Sequence, residues 1–226
     1  MSSRRSVPRS TARPKEGVAV PRAPWQTGAV TTENPVEPPP DHVRELALGA
    51  VQFVQRATGV QLDFDPETLP LLDHYLSSVS EASEAVLALV APAAGAYFGE
   101  VVRKVFPARW SAPGEDYAVW RIEFSPCFLH FNPVAFAHEA IHARELIEGG
   151  TGFGVNSDDV DTVRQSLEVL GTVSEEDYFK LSTRFEVLTS VVDRLIASAT
   201  ARGEPPLSLG AEMYRSALDT DAATAS

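Results

Sequence analysis

Residues 117–133 read Tyr117-Ala118-Val119-Trp120-Arg121-Ile122-Glu123-Phe124-Ser125-Pro126-Cys127-Phe128-Leu129-His130-Phe131-Asn132-Pro133, and this stretch decides the fold class. Trp120, Ile122 and Phe124 alternate with Arg121 and Glu123, the period of a half-buried strand. Tyr117 to Phe124 has the length of an ordinary strand. Ser125-Pro126 interrupts the alternation, and Cys127, Leu129 and Phe131 resume it as a second β segment. Asn132-Pro133 then opens a helix, with a capping side chain followed by proline at the first helical position.

The pattern on either side of this stretch is helical. Asp41 is placed to cap a helix over about 42–57, with Val43, Leu46, Ala50, Val51 and Val54 on one stripe and Gly59 beyond its end. Val60, Leu62 and Phe64 alternate and predict a short strand. Asp65-Pro66 signals another helix start, delayed toward Pro70, with Leu71, Leu72, Tyr75 and Leu76 as its apolar residues. A longer helix runs from about Ser80 to Phe106, kinked or divided at Pro92. Its small residues Ala91, Ala93, Ala94, Gly95 and Ala96 leave room for another element to come close. Pro107 to Gly114 reads as a loop containing Trp110.

Downstream, Gly149-Gly150 stop the Asn132-Pro133 helix, and Asn156-Ser157 cap a helix over about 158–170. Ser174-Glu175-Glu176-Asp177 begin a long helix to about Ala201, and Pro205 to Ser226 adds one short helix that frays. The expectation is therefore α+β: a mainly helical single domain with a small central β-sheet or hairpin.

Charge divides the chain. Residues 1–40 hold six Lys/Arg against three acids, a net of +3, which leaves −15 on the other 186 residues out of −12 for the whole chain. The first 40 residues also hold eight prolines and end in Pro38-Pro39-Pro40, so we expect a disordered, basic, Pro-rich tail over 1–40. The domain then spans 41–215 and a disordered C-terminus 216–226. Within the tail Trp25, Arg4 and Arg5 are candidate contacts for a protein partner, an exposed tryptophan being an effective anchor. The acidic body disfavours nucleic acid and anionic membranes as partners. No apolar run approaches the roughly 18 residues of a membrane span, and no apolar segment follows the basic N-terminal residues as in a secretory signal. A single cysteine, Cys127, rules out a disulfide framework within the chain. These features together predict a cytoplasmic protein.

One short string carries a possible chemistry: His138-Glu139-Ala140-Ile141-His142. On a helix its two histidines lie one turn apart on one face, the spacing that holds zinc, with Glu139 placed as general base. Over these five residues the string resembles the zincin signature, and that resemblance implies zinc-dependent peptide hydrolysis with His138 and His142 as metal ligands and Glu139 as catalytic base. It departs from the zincin pattern at Arg144, where an apolar residue is usual. On a helix from about Val134 to Glu148, Phe136, Ala140, Ala143 and Ile147 form the predicted core stripe and the histidines point away from it. Glu145 shares their face but lies roughly 10 Å along the axis from His138, an awkward third ligand. Asp158, Asp159, Asp161 and Glu168 of the next helix are the other acids in range.

Other candidates have plainer readings. Glu100 is expected to pair with Arg103 or Lys104. Cys127 is expected to be a buried structural thiol. The glycines from Gly149 to Gly154 lack the lysine of a phosphate loop and read as a helix stop and connection. Tyr178 to Leu188 reads as a core stripe with a solvated opposite face. Ala96-Tyr97-Phe98-Gly99-Glu100-Val101-Val102-Arg103 and the segment Tyr178–Leu188 resemble small uncharacterised bacterial α+β domains, a resemblance that implies no activity. The functional expectation is a non-catalytic cytoplasmic protein-interaction or regulatory domain with no cofactor, acting through its basic tail and acidic body; a further reading is an intracellular immunity or inhibitor protein, since a strongly acidic domain can neutralise a basic partner. The alternative is a zinc-dependent metallopeptidase or hydrolase built on the HEAIH helix.

Overall fold

The computed structural model describes residues 37–146, 152–169 and 173–224. Residues 37–40 lead into helix α1 (Asp41–Thr58). Asp41 sits in its first turn, where its carboxylate pairs with Arg44 and makes no cap; Gly59 closes the helix in the left-handed conformation, φ 77°. No strand forms over 60–64. Phe64 takes a positive φ of 62°, donates its N–H to the Tyr97 hydroxyl and stacks on that ring at 4.7 Å. The alternation there comes from a loop anchored on Tyr97. Asp65 caps a 3-10 turn, Pro66–Thr68, which runs straight into α2 (Leu69–Ser78).

Helix α3 (Glu84–Val105) is continuous through Pro92. By length and composition it is apolar enough to cross a membrane, and 67% of its apolar window is buried inside the protein, as befits a central core helix. The expected close approach is made along its small residues. A Cβ at Gly95 would lie 2.6 Å from the Cα of Val134 in the next helix, and one at Gly99 would overlap the Trp110 ring.

The sheet is antiparallel throughout, in the order β1-β2-β3-β4 (Ala108–Ser111, Arg121–Phe124, Leu129–Phe131, Gly154–Val155). It departs from expectation at β4, which forms in what the sequence reads as a glycine-rich connection, and at two further places. Residues 108–111 are a strand although prolines flank them, because Trp110 fills the notch at Gly99 and Arg109 sits opposite Glu123. The stretch Tyr117–Val119 is a 3-10 turn, so β2 starts only at Arg121. Register pairs Trp110 with Ile122 and Ile122 with Phe131 on the face toward α3. The row Arg109, Glu123, His130, Gly154 crosses the opposite face. The His130 ring lies over Gly154, where a Cβ would collide with it.

That second face is also covered. Helix α8 (Ala211–Thr224) lays Tyr214, fully buried, against it. The Tyr214 hydroxyl accepts from the Leu129 N–H at 3.0 Å and has the carbonyl oxygens of Phe124, Cys127 and Leu129 within 3.1 Å. Its ring stacks on Phe128. Helix α8 thus extends to Thr224, past residue 215.

Helix α4 (Pro133–His142) is capped by Asn132, whose side chain accepts from the N–H groups of Val134 and Ala135. It stops six residues short of the expected Glu148, because Ala143 turns left-handed at φ 48°. A 3-10 turn, Ser157–Asp159, leads into α5 (Val160–Val169). The long helix expected from Ser174 is two: α6 (Glu175–Tyr178), capped by the Ser174 hydroxyl, and α7 (Leu181–Ala201). The second start is supplied from afar. Buried Asp73 of α2 accepts from the N–H groups of Leu181 and Ser182 at 2.7 and 3.1 Å, and from the Ser182 hydroxyl. The whole is a mainly helical α+β domain with a small antiparallel sheet.

Candidate functional site

The HEAIH residues occupy the last five positions of α4. The predicted stripe is corrected by the packing. Phe136 is buried, but Ala140 is only half-buried, Ala143 is exposed beyond the helix end, and Ile147 lies outside the described residues. The buried set is Pro133, Val134, Phe136, Ala137, Glu139 and Ile141. It is wider than one stripe because α4 is packed against by α3 at Gly95, by α2 and by α7 at Arg184.

Glu139 is 1% exposed and its Oε2 accepts from the Arg184 guanidinium at 2.5 Å, with the arginine side chain 7% exposed. The same guanidinium lies 4.0 Å from the centroid of the Phe136 ring, one turn back on α4. Burial lowers the Arg184 pKa from its ordinary value, and the hydrogen bond and charge of Glu139 oppose the shift. Such a pair is structurally committed: removing one partner of a buried ion pair typically costs about 3–5 kcal/mol. A general base has to reach a metal-bound water; this carboxylate reaches a core arginine. Sequence reading gave Tyr178–Leu188 a solvated polar face, and Arg184 lies instead on its buried face.

His138 and His142 are both half-buried. Burial, with the neighbouring charge of His142 adding to it, lowers the His138 pKa from its ordinary value. Among the described residues no group of three or more His, Cys, Asp or Glu is assembled as a metal site. Glu145, once considered as a third ligand, lies past the end of the helix and is exposed.

Glu100 pairs with Arg103 at 2.6 Å, as its i,i+3 spacing predicts, and also accepts from the Trp110 indole N–H at 2.6 Å. Cys127 is buried, and burial, with Asp159's charge adding to it, pushes its thiol up to about 12, so it is no nucleophile at neutral pH. Of the glycine-rich loop, residues 149–151 lie outside the described residues, as do Trp25, Arg4 and Arg5 of the basic tail.

Two features were missed in the sequence. The first is the buried acid Glu123, 2% exposed and ion-paired to both Arg109 and Arg121. Burial raises its pKa, and the two arginine charges oppose that rise. The alternation around Ile122 implies a solvated outer face there; α8, far along the chain, covers it. The second is a groove of about 290 Å³ between α1 and the first half of α3. Leu46, Gly49 and Phe53 form one wall, Leu89 and Ala93 the other, and Trp120 the floor. Leu89 is 63% exposed. Gly49 has open space where a side chain would be. The charged residues lining the groove are Glu45 and Glu115, with His42 beside them and no lysine or arginine. The signal is present in α1, where Leu46 and Phe53 fall two turns apart on one face, but the facing wall follows only from the α1–α3 packing.

Compared with models of protein families, with curated proteins and with solved structures, the chain matches none of them.

Proposed function

We propose that the chain is a non-catalytic, cytoplasmic protein-binding domain that receives a basic amphipathic helix of a partner protein in the groove between α1 and α3. The observation that carries this reading is the groove's composition: exposed Leu89 and half-buried Leu46 and Phe53 between acidic rims, with no cation among its lining residues. Apolar anchors at helical spacing are what a helix-in-groove contact uses. The rim carboxylates and the net −15 of residues 41–226 favour a cationic occupant and disfavour an acidic one. A non-catalytic role is supported by the buried Glu139–Arg184 pair, which turns the one candidate catalytic carboxylate to structural use. On this reading the basic tail, with Trp25, Arg4 and Arg5, is a second contact for the same assembly.

The test uses two designed amphipathic helices with the same leucine face, one carrying lysines and the other glutamates opposite it. The lysine helix should bind the full chain, weaken as salt is raised, and protect residues 42–53 and 86–93 from hydrogen exchange. Leu89→Lys should abolish binding, while Leu207→Lys, at another exposed leucine, should leave it intact. Equal binding of both helices, or binding that survives Leu89→Lys, overturns the proposal.

A further inference from the structure

A separate cavity of about 300 Å³ lies where α4, the β4 strand, α5 and α7 meet. Its walls are apolar, with Phe136, Phe153, Val163, Leu167 and Val187 among them, and the buried Arg184 lines it as well. Val160 and Tyr178 also line it, and both are exposed, at 41% and 45%. They mark where the cavity meets solvent.

The guanidinium of Arg184 is only partly satisfied. One terminal nitrogen donates to Glu139, but the buried Nε has no hydrogen-bond partner. Protein interiors rarely leave such a donor unmet, since the desolvation cost is then uncompensated. A guanidinium also binds carboxylates with two parallel N–H groups, a geometry it keeps even when one nitrogen is engaged elsewhere. An apolar chamber with a buried guanidinium among its lining residues has the general form of a small-ligand site, mostly apolar with one charged group to orient the ligand. The space, at about 30 Å³ for each water it would otherwise hold, takes on the order of ten non-hydrogen atoms.

We propose that this cavity binds a small apolar carboxylate, of the size of a medium-chain fatty acid, with the carboxylate on Arg184 and the hydrocarbon among Phe136, Phe153 and Val163. The second rim cation, Arg164, is exposed and paired with Asp161. It attracts the anion to the mouth without being part of the buried contact.

Octanoate is the probe, and 1-octanol its neutral counterpart of matching length. Titration into the full chain, followed by calorimetry and by hydrogen exchange, should show saturable octanoate binding with protection over 153–167 and 178–187. Octanol should bind about tenfold or more weakly, because it lacks the charge that the guanidinium meets. Val163→Trp fills the chamber and leaves the Glu139–Arg184 pair untouched; it should abolish octanoate binding while the variant keeps its far-UV dichroism. Absence of saturable octanoate binding by the unaltered chain overturns the proposal. So does equal affinity for octanol, or octanoate protection that falls elsewhere in the chain.

Discussion

At the residue scale, Glu139 shows how one local string supports two opposite readings. Read along the helix, it stands beside a histidine pair at metal-binding spacing. Read across helices, it is the partner of Arg184, with both side chains withdrawn from water. Energetics separates the two. A structural pair buried this deeply should be costly to halve and cheap to replace whole. We predict that Glu139→Leu or Arg184→Met alone lowers unfolding free energy by about 3–5 kcal/mol in urea titrations. The double variant should recover most of that loss, because it leaves no buried charge alone. The coupling read from the cycle is the diagnostic quantity. Additive losses would mean that the two side chains act independently and that Glu139 has a role apart from Arg184.

At the scale of elements, several helices were legible because they carry their own punctuation. Gly59 ends α1, Asp65-Pro66 opens the turn before α2, and Asn132-Pro133 opens α4. What was not legible was set by partners distant in sequence. Strand β1 exists because Gly99 admits Trp110 and Glu123 meets Arg109. The break before α7 exists because Asp73 of α2 caps it. The alternation of Val60, Leu62 and Phe64 found no neighbouring strand and became a loop held by Tyr97. Of the candidate site, the histidine spacing was readable, but the direction Glu139 faces depended on α7. Glycine offers a test of the α3–α4 contact with opposite signs at two helical positions. Gly95→Ala places a methyl 2.6 Å from the Val134 backbone, which cannot move aside as a side-chain tip can. We predict a net loss of about 1–3 kcal/mol despite alanine's better helix propensity. Gly49→Ala, in α1 with no atom within 4 Å of the new carbon, should gain about 0.5–1 kcal/mol. Thermal melts of the two variants should therefore shift in opposite directions.

At the scale of the molecule, the last ordered helix closes the fold. The sheet's face toward α3 is covered by the central core, while its outer face carries Arg109, Glu123 and His130, which need a polar cover with some apolar body. Helix α8 supplies it through Tyr214: its ring stacks on Phe128 at 4.7 Å and its hydroxyl meets the backbone of the β2–β3 connection. Leu209, just before α8, donates its N–H to the Ser125 carbonyl at 2.9 Å and packs into the same cluster. A chain ending after residue 208 loses this entire cover. It leaves Phe128 exposed, the Leu129 N–H without Tyr214's oxygen, and the Arg109–Glu123 pair open to water. Each hydrogen bond exchanged for water costs about 0.5–1.5 kcal/mol net and each large apolar side chain returned to water about 1.5–3 kcal/mol, together a large share of the roughly 5–15 kcal/mol that holds an ordinary domain. We predict that this truncation abolishes a single cooperative unfolding transition and the near-UV dichroism. A chain ending after Arg215 keeps Tyr214 but forfeits the packing of Ala217 and Leu218 and most of the helix that holds the tyrosine in place, so it should fold with a clearly lowered midpoint. Tyr214→Phe isolates the hydroxyl and should cost about 1–3 kcal/mol with cooperativity intact. If the chain ending after residue 208 unfolds as cooperatively as the full chain, α8 is an appendage and the outer face of the sheet is stable on its own.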